Sequence, residues 1–424
     1  MKRGHQSLIA GLDIGSTQVR MAVGQLFSRE GSSSPELQIL GTAESPSEGV
    51  HRGTINSIEE VVSSISACLE NIERMIGAPI DKVWLGVSGP HIKANASKGV
   101  VAVSKADNEI SLEDMQRAIE ASRAVSTPLN YEVLHVFPKS YNVDGQGNIK
   151  DPIGMTGIRL EVDTQIILGS TAQIKNLTKA VYRSGLDIED LVLSIMAATE
   201  AVVTRKQKEL GVASVNIGGS TTSLAVFEGG ELLHVAVLPI GSEHITNDVA
   251  IGLRTSIEVA EKVKLKYGNC LADAISKKDE IDLFEFGTAE HEMVKTHYIS
   301  EIIEARAEEI LSKVDQELKS IQRSGLLPAG VVFSGGGAKL PGLVELARKY
   351  LRLPASLGYP LDIMSVSDRI NDVGFTTAIG LVKWGSLVNS DLIHHPLIGG
   401  SPEGQKRVGK MPGQIKKWFK SLIP

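Results

Sequence analysis

The stretch Gly11-Leu-Asp-Ile-Gly-Ser-Thr17 returns about 200 residues later as Val215-Asn-Ile-Gly-Gly-Ser-Thr-Thr222. Each copy lies between short apolar runs, which predicts a strand, a tight glycine turn and a second strand. Successive backbone N–H groups in such a turn point at one spot and can hold an anion. Taken alone, the first copy could equally be an ordinary hairpin. The repeat predicts two similar halves whose turns face each other and clamp a chain of phosphates.

A third glycine turn, Gly335-Gly336-Gly337, follows the apolar run 331–334 and precedes a helical pattern at 343–350. A plain strand-to-helix turn would also fit this pattern. Three consecutive glycines are costly in conformational entropy, however, so we expect a reason for them. Because they carry no side chains, they leave room for a flat ligand.

Length and composition set limits on the class of protein. A chain of 424 residues predicts two or three domains. The formal net charge is -6, so there is no basic domain that would bind nucleic acid. Cys68 and Cys270 lie too far apart in sequence for a disulfide framework or a metal cluster and are expected to be reduced core residues. No run approaches the roughly 20 apolar residues of a membrane span, so any contact with a membrane is expected on its cytosolic surface.

Strand and helix patterns alternate along the chain, which predicts an α/β fold. A helix is expected at 57–76. Residues 83–162 form a separate module, whose helix at 112–125 follows the capping box Ser111-Leu-Glu-Asp114. The segment 243–324 is mostly helical and ends in a long amphipathic helix. From about 386 the pattern fails, and a Pro-, Gly- and Ser-rich linker follows.

The last residues form an amphipathic pattern. Apolar side chains at helical spacing occupy one face and lysines the other, namely Ile415, Trp418, Phe419, Leu422 and Ile423 against Lys416, Lys417 and Lys420. Aromatic rings favour the membrane interface, and lysines attract anionic lipids. The tail therefore predicts a helix that lies on a membrane. A terminal helix docked on the core is the alternative.

The three turns together resemble those of the actin, Hsp70 and hexokinase superfamily. Four further segments narrow the resemblance to the cell-division FtsA family, namely 85–89, 135–144, 152–161 and 198–204. This resemblance implies a two-lobed actin-like ATPase fold with duplicated RNase H-like halves, an inserted 1C-type subdomain and a C-terminal amphipathic helix. The implied parts are subdomain 1A (7–82, 163–204, 365–385), 1C (83–162), 2A (205–242, 325–364), 2B (243–324), a linker (386–412) and the membrane-targeting helix (413–424).

The resemblance also implies a site for ATP and Mg²⁺. The first two turns would hold phosphates, the third would hold adenosine, and the helix 261–264 would contact ribose and adenine. The cofactor-binding residues are then Gly15, Ser16, Thr17, Gly218, Gly219, Ser220, Thr221, Glu261, Lys264, Gly335, Gly336 and Gly337. Asp13, at the end of the first strand, is placed to hold Mg²⁺ through water and is the leading catalytic candidate.

Two positions depart from the family pattern. Gln165 stands where a histidine is expected shortly after Arg159-Leu-Glu161, and the other departure lies in the second glycine turn. The second turn usually carries an aspartate, and here the residue is Asn216. An amide cannot take a proton and binds a hydrated cation poorly, so we expect ATP binding with at most slow hydrolysis. Glu200, a carboxylate in the connecting segment, could orient the attacking water or could be an exposed helix residue.

The function implied by the resemblance is that of an adaptor in bacterial division. It would bind the C-terminal peptide of the tubulin-like FtsZ through 2B, polymerise head to tail, recruit later division proteins through 1C, and sit on the cytoplasmic face of the membrane at the septum. Arg306 would be a self-association contact, although an i, i+3 pair with Glu309 explains it equally well. The alternatives are a small-molecule kinase of the superfamily and a PilM-like pilus adaptor.

Overall fold

The structure is a computed structural model that describes residues 8–27, 36–105, 107–124, 127–365 and 368–389. Most of the predicted linker and all of the predicted helix 413–424 lie outside the described residues. The strands of the first part of the chain are β1 (Ile9–Ile14), β2 (Gln18–Phe27), β3 (Glu36–Pro46), β4 (Val50–His51), β5 (Thr54–Ile55), β6 (Lys82–Val87), β7 (Lys93–Ala102), β8 (Tyr131–Val143), β9 (Gln146–Ile149), β10 (Arg159–Ser170) and β11 (Asp187–Leu193). Its helices are α1 (Ile58–Ile76), α2 (Leu112–Arg123), α3 (Thr171–Arg183) and α4 (Ser194–Val202).

The second part of the chain begins with α5 and ends with a helix that returns to the first part. Its helices are α5 (Arg205–Leu210), α6 (Ser242–Leu253), α7 (Ile257–Tyr267), α8 (Thr296–Ser320), α9 (Leu343–Leu351) and α10 (Thr376–Asn389). Its strands are β12 (Val212–Ile217), β13 (Thr222–Glu228), β14 (Glu231–Leu238), β15 (Glu280–Asp282), β16 (Met293–Lys295), β17 (Val331–Ser334), β18 (Ala355–Leu357) and β19 (Met364–Ser365).

The first lobe is built on a sheet with the strand order β11-β6-β1-β2-β3-β19. Helices cover both of its faces. Side chains alternate between these two faces along each strand, so each strand contacts helices on both sides. On one face α10 approaches so closely that a methyl group added at Gly11 would lie 2.4 Å from the carbonyl oxygen of Ala378. On the other face α1 packs at Gly41, where an added methyl would meet Ile76 at 3.0 Å. The sequence predicts this helix at 57–76, and it begins at Ile58, with Ser57 as its N-cap.

The second lobe repeats this arrangement with the strand order β14-β13-β12-β17-β18. In each lobe the first strand of a glycine hairpin pairs in parallel with a later strand, β1 with β6 and β12 with β17. The repeated topology confirms the expected duplicated halves. The helical part of this lobe shares one apolar core with the sheet, and Ile303 and Ile310 of α8 are buried in the same cluster as Val215 of β12.

The insertion between the two halves of the first lobe has its own sheet, in the order β7-β10-β8-β9, and its own core under α2. The predicted capping box of Ser111 and Asp114 is present. The predicted borders at 82/83 and 162/163 are wrong, because they pass through strands. All of β6 pairs in the first-lobe sheet with β1 and β11, whereas β10 stays paired with β7 and β8 along its whole length.

The insertion also contacts the second lobe. Lys139 Nζ donates to the carbonyl oxygen of Leu233 at 2.9 Å, and Lys150 Nζ donates to that of Gly229 at 2.6 Å. Both acceptors belong to the edge strand β14 or to the turn before it. The insertion is therefore covalently part of the first lobe and is hydrogen-bonded to the second.

Two expectations about the whole chain can be compared with the described residues. Cys68 and Cys270 are both free and buried, which confirms their prediction as reduced core residues. Among the helices that the structure describes, none combines the length and the apolar character needed to cross a bilayer.

Candidate functional site

The two predicted glycine hairpins meet tip to tip. The Gly15 N–H donates to the Gln18 carbonyl at 3.0 Å, and the Gly218 N–H donates to the Thr221 carbonyl at 2.8 Å, so the two turns close in the same way. A methyl group added at Gly219 would lie only 2.7 Å from Cγ2 of Thr17. The structure therefore brings the two turns together across the space between the lobes.

The glycines that open these turns are required by the hairpins themselves. A methyl group at Gly15 would lie 2.9 Å from the Gln18 carbonyl oxygen, and one at Gly218 would lie 3.1 Å from that of Thr221. Each hairpin bond occupies the first N–H of its turn. The N–H groups of Ser16 and Thr17, and of Gly219 and Ser220, follow at the tips, where an anion can approach them.

Helix α6 begins directly against the second turn. The N–H groups of Ser242 and Glu243 donate to the carbonyl oxygens of Gly218 and Gly219, each at 2.9 Å. The Ser220 hydroxyl donates to the Glu243 carboxylate. The positive end of the α6 dipole favours an anion at this turn, but Glu243 opposes it. Sequence reasoning missed Glu243, whose only signal is an acidic residue in the first turn of a helix.

Asp13 lies at the end of β1, beside a gap in the neighbouring strand β6. The gap is at Gly86, which has no side chain and so leaves room for Asp13 and Ser194. A methyl group added to Gly86 would lie 3.3 Å from Asp13 Oδ1 and 2.8 Å from the Ser194 hydroxyl oxygen. Burial raises the pKa of Asp13 to about 6, although the charge of Arg20 and the Ser194 hydroxyl act in the opposite direction. At pH 7 the carboxyl group is therefore mostly ionised and is suited to hold Mg²⁺ through water.

Asn216 occupies the position in the second hairpin that matches Asp13. Its Nδ2 donates to the Ser334 hydroxyl at 3.1 Å and lies 3.4 Å from the Thr377 hydroxyl. The amide thus joins the second hairpin to β17 and to the start of α10. An amide can donate to such hydroxyls through its nitrogen and accept from them through its oxygen.

The third turn lies against the second hairpin. Gly335 has a φ of +88°, and methyl groups at Gly335 and Gly337 would lie 2.5 Å from atoms of Ile217. At Gly336 nothing lies within 4 Å of an added methyl. Two of the three glycines are therefore required by internal packing and by backbone conformation. Only Gly336 faces open space, which narrows the predicted surface for a flat ligand to this residue.

Gly336 provides a test of that surface. We expect Gly336→Val to leave the unfolding temperature within about 2 °C of the unaltered chain, because the new side chain enters open space. We expect it to weaken ATP binding about tenfold or more, because the ligand surface is then blocked. Calorimetric titration and thermal unfolding measure the two effects. Gly147→Val is the matched control, since an added methyl there meets only Asn142 Nδ2 at 3.7 Å. Unchanged ATP affinity in Gly336→Val would contradict the assignment.

Glu261 and Lys264 come together on α7. Lys264 Nζ lies 2.6 Å from Glu261 Oε2 and donates to the Thr246 hydroxyl of α6 at 2.8 Å. The Thr246 hydroxyl in turn donates to Glu261 at 2.5 Å. Lys264 is buried and Glu261 is half-exposed, so the pair offers a ligand mainly the Glu261 carboxylate.

The structure places two further candidates in ion pairs. Glu200 of α4 is paired with Lys208 Nζ at 2.7 Å. Burial would raise the pKa of Glu200, but Lys208 and nearby cations outweigh it and hold the pKa below its usual value. Arg306 makes the anticipated pair with Glu309 at 2.6 Å, and its Nη2 donates to Asp248 of α6 at 2.9 Å. The predicted membrane residues 415–423 lie outside the described part of the chain.

Comparisons with known proteins agree with this geometry. Residues 213–380 match the family model described as cell division protein FtsA, and residues 89–168 match that of the SHS2 domain inserted in FtsA. The cell division protein FtsA of Pseudomonas aeruginosa is 32% identical over 411 residues, covering 97% of each chain. The chain belongs to the FtsA family. FtsA of Bacillus subtilis is 38% identical over 380 residues, covering 90% of this chain and 84% of the relative.

Solved structures similar to this FtsA-family chain confirm the actin-like fold. A chain of the PilM–PilN type IV pilus biogenesis complex matches with a TM-score of 0.65 at 17% identity, covering 89% of this chain and 98% of that one. MreB5 of Spiroplasma citri bound to ADP matches with a TM-score of 0.55 at 12% identity, covering 92% and 99%. The match of the inserted domain to residues 89–168 agrees with the span from β7 to β10.

Proposed function

We propose that this protein is an ATP-binding, polymer-forming adaptor that tethers the FtsZ division ring to the inner face of the cytoplasmic membrane and recruits later division proteins. The observation that carries the proposal is the meeting of two glycine hairpins, with Asp13 at the base of the first, in a member of the FtsA family. The similar MreB5 structure contains ADP, which supports a nucleotide in the same cleft.

The residues present fit a Mg²⁺–ATP complex. Turn N–H groups would hold the phosphates, Asp13 would hold the hydrated Mg²⁺, and Gly336, Glu261 and Lys264 would border the adenosine. The bound metal would neutralise phosphate charge. Asn216 can neither accept a proton nor replace a carboxylate at the metal, so the nucleotide acts chiefly by joining the lobes and hydrolysis is slow at most.

An open pocket in the helical part of the second lobe supports binding of the FtsZ C-terminal peptide. Its volume is about 460 Å³, and its lining includes Met293, Val294, Lys295, Tyr298 and Glu301. Met293 is 60% exposed and Tyr298 is 45% exposed, so apolar surface is available beside charges of both signs. Apolar anchors with a polar rim are typical of peptide-binding surfaces.

We expect Met293→Glu to weaken FtsZ-peptide binding about tenfold, because an apolar anchor becomes a solvated charge. Fluorescence anisotropy with a labelled FtsZ C-terminal peptide measures the effect. Met75→Glu is a matched control, since Met75 is 58% exposed in the first lobe, on α1. Equal affinities of Met293→Glu and Met75→Glu would place the peptide elsewhere.

The whole proposal is tested by electron microscopy of the full chain on an anionic lipid monolayer. Filaments are expected on the lipid only when ATP and the tail are both present. Head-to-tail contacts along the filament would involve 2B, and the insertion is proposed to receive the later division proteins. Filaments that form equally well on lipid without nucleotide, or without residues 411–424, would contradict the proposed link between nucleotide, assembly and membrane.

A further inference from the structure

A small hairpin between β3 and α1 reaches the second glycine turn from the opposite lobe. Strands β4 and β5 pair Val50 with Ile55 and His51 with Thr54, so Arg52 and Gly53 form the tip. The base is fixed, because the N–H groups of Asn56 and Ser57 both donate to the Gly49 carbonyl, at 2.9 and 3.2 Å. The tip is therefore held at a defined place in front of α1.

The tip is wedged between the lobes. A methyl group added at Gly53 would lie 3.0 Å from Cγ2 of Thr221 in the second turn and 3.1 Å from Cδ of Pro90 in the first lobe. The chain leading to the hairpin also contacts the first turn, since the Ser47 N–H donates to the Thr17 carbonyl at 3.0 Å. Both phosphate turns and this tip thus share one region.

Arg52 is a poor residue for this backbone position. Its φ is +50° and that of Gly53 is +74°, the combination of a type I′ turn, in which asparagine or glycine is preferred at the first place. A residue other than glycine in this region is strained by about 1 kcal/mol or more, and such strain is concentrated at functional sites. The backbone gives no reason for an arginine here, so the reason is to be sought in its side chain.

The positive charge of the Arg52 side chain supplies the reason for an arginine at this position. In the described part of the chain, three cations near the cleft are paired with carboxylates, Lys264 with Glu261, Lys339 with Asp372 and Arg20 with Glu44. Glu243 adds a negative charge on the second turn itself. Arg52 is exposed and, within the described residues, makes no hydrogen bond or ion pair. Arg52 is suited to a triphosphate at the turns, because guanidinium groups bind phosphate oxygens through paired hydrogen bonds.

We infer that Arg52 binds the terminal phosphate of a nucleoside triphosphate held between the two glycine turns. The inference rests on the proposed ATP-binding function and adds to it a residue that distinguishes triphosphate from diphosphate. Because the tip also touches Thr221, the bound terminal phosphate fixes the hairpin of one lobe against the turn of the other. A diphosphate leaves Arg52 without its acceptor.

The test is calorimetric titration of the full chain with Mg²⁺–ATP and with Mg²⁺–ADP. In Arg52→Ala we expect ATP affinity to fall about tenfold or more, the loss of a charge-assisted contact, and ADP affinity to stay within about twofold. Arg52→Lys should recover part of the difference, because it keeps the charge. Arg254→Ala is the matched control, since Arg254 is also exposed and has a φ of +51°, but it lies at the far end of α6.

Hydrogen exchange gives a readout independent of affinity. ATP should slow exchange in residues 49–57 more than ADP does in the unaltered chain, and the two nucleotides should act alike in Arg52→Ala. Equal losses of ATP and ADP affinity, or no loss of either, would overturn the role of Arg52 while leaving nucleotide binding intact. Failure of the unaltered chain to bind either nucleotide would instead overturn the proposed function, and this inference with it.

Discussion

Deletion of residues 411–424 is expected to abolish flotation of the protein with anionic liposomes. On the helix predicted from the sequence, five apolar side chains of the tail would occupy one face and three lysines the other. Full burial of a large apolar side chain contributes about 1.5–3 kcal/mol, interfacial burial contributes less, and ordering the helix opposes both. We therefore expect one tail to bind marginally. Polymerised chains are expected to bind firmly, because each attached tail raises the effective concentration of the next.

The liposome experiment separates the two sources of affinity. Trp418→Glu should remove binding nearly as fully as the deletion, because a charge replaces the aromatic anchor. Lys416→Ala should only weaken it, and more so at low salt, because one lysine contributes about 1 kcal/mol near an anionic surface and salt screens that term. Equal flotation of the intact and the truncated chain would contradict the assignment of the tail as the membrane anchor.

Gly380→Ala is expected to destabilise the chain by about 3 kcal/mol or more, although alanine is the better helix former. An added methyl at Gly380 of α10 would lie 2.0 Å from the carbonyl oxygen of Ala197 in α4. On its other side α10 is held against β1 at Gly11. Neither neighbour can move without shifting a buried strand or helix, so the added methyl cannot be accommodated locally.

Chemical denaturation measures the loss of unfolding free energy. Helix propensity alone would predict a gain in stability for this substitution. Gly147→Ala in β9 is the control, because an added methyl there meets nothing closer than 3.7 Å. Helix α4 leads into the second lobe and α10 returns from it, so their crossing joins the lobes. If Gly380→Ala changed the unfolding free energy by less than about 1 kcal/mol, α4 and α10 would be able to shift apart and accommodate the methyl group.

The parts of the fold predicted from sequence are those encoded in short, local patterns. The two hairpins, the apolar spacing of α1 and the capping box of α2 each depend on residues within a few positions of one another. The borders of the insertion were wrong because strand pairing is not local. Nothing within 82–87 shows that β6 pairs with β1, which lies about 70 residues earlier in the chain.

The candidate site likewise contains residues that local sequence patterns predict and contacts that form only between distant segments. Asp13 and the turn glycines follow from the repeat itself. The contacts of Asn216 with Ser334 and Thr377, and the place of Glu243 beside Ser220, arise only when distant segments meet. Arg52 left no signal, because a two-residue hairpin tip is too short to produce a periodic pattern. Its positive φ is visible only in the folded backbone.

The hydrogen bonds between the insertion and the second lobe have a consequence for how relatives diverge. Lys139 and Lys150 donate to main-chain carbonyl oxygens, which every residue type supplies. Leu233 can therefore be replaced by another residue type during evolution without loss of this hydrogen bond, whereas the two lysines cannot. Coupled substitutions across this boundary should be rare among relatives, and a method that finds contacts from covariation would overlook it.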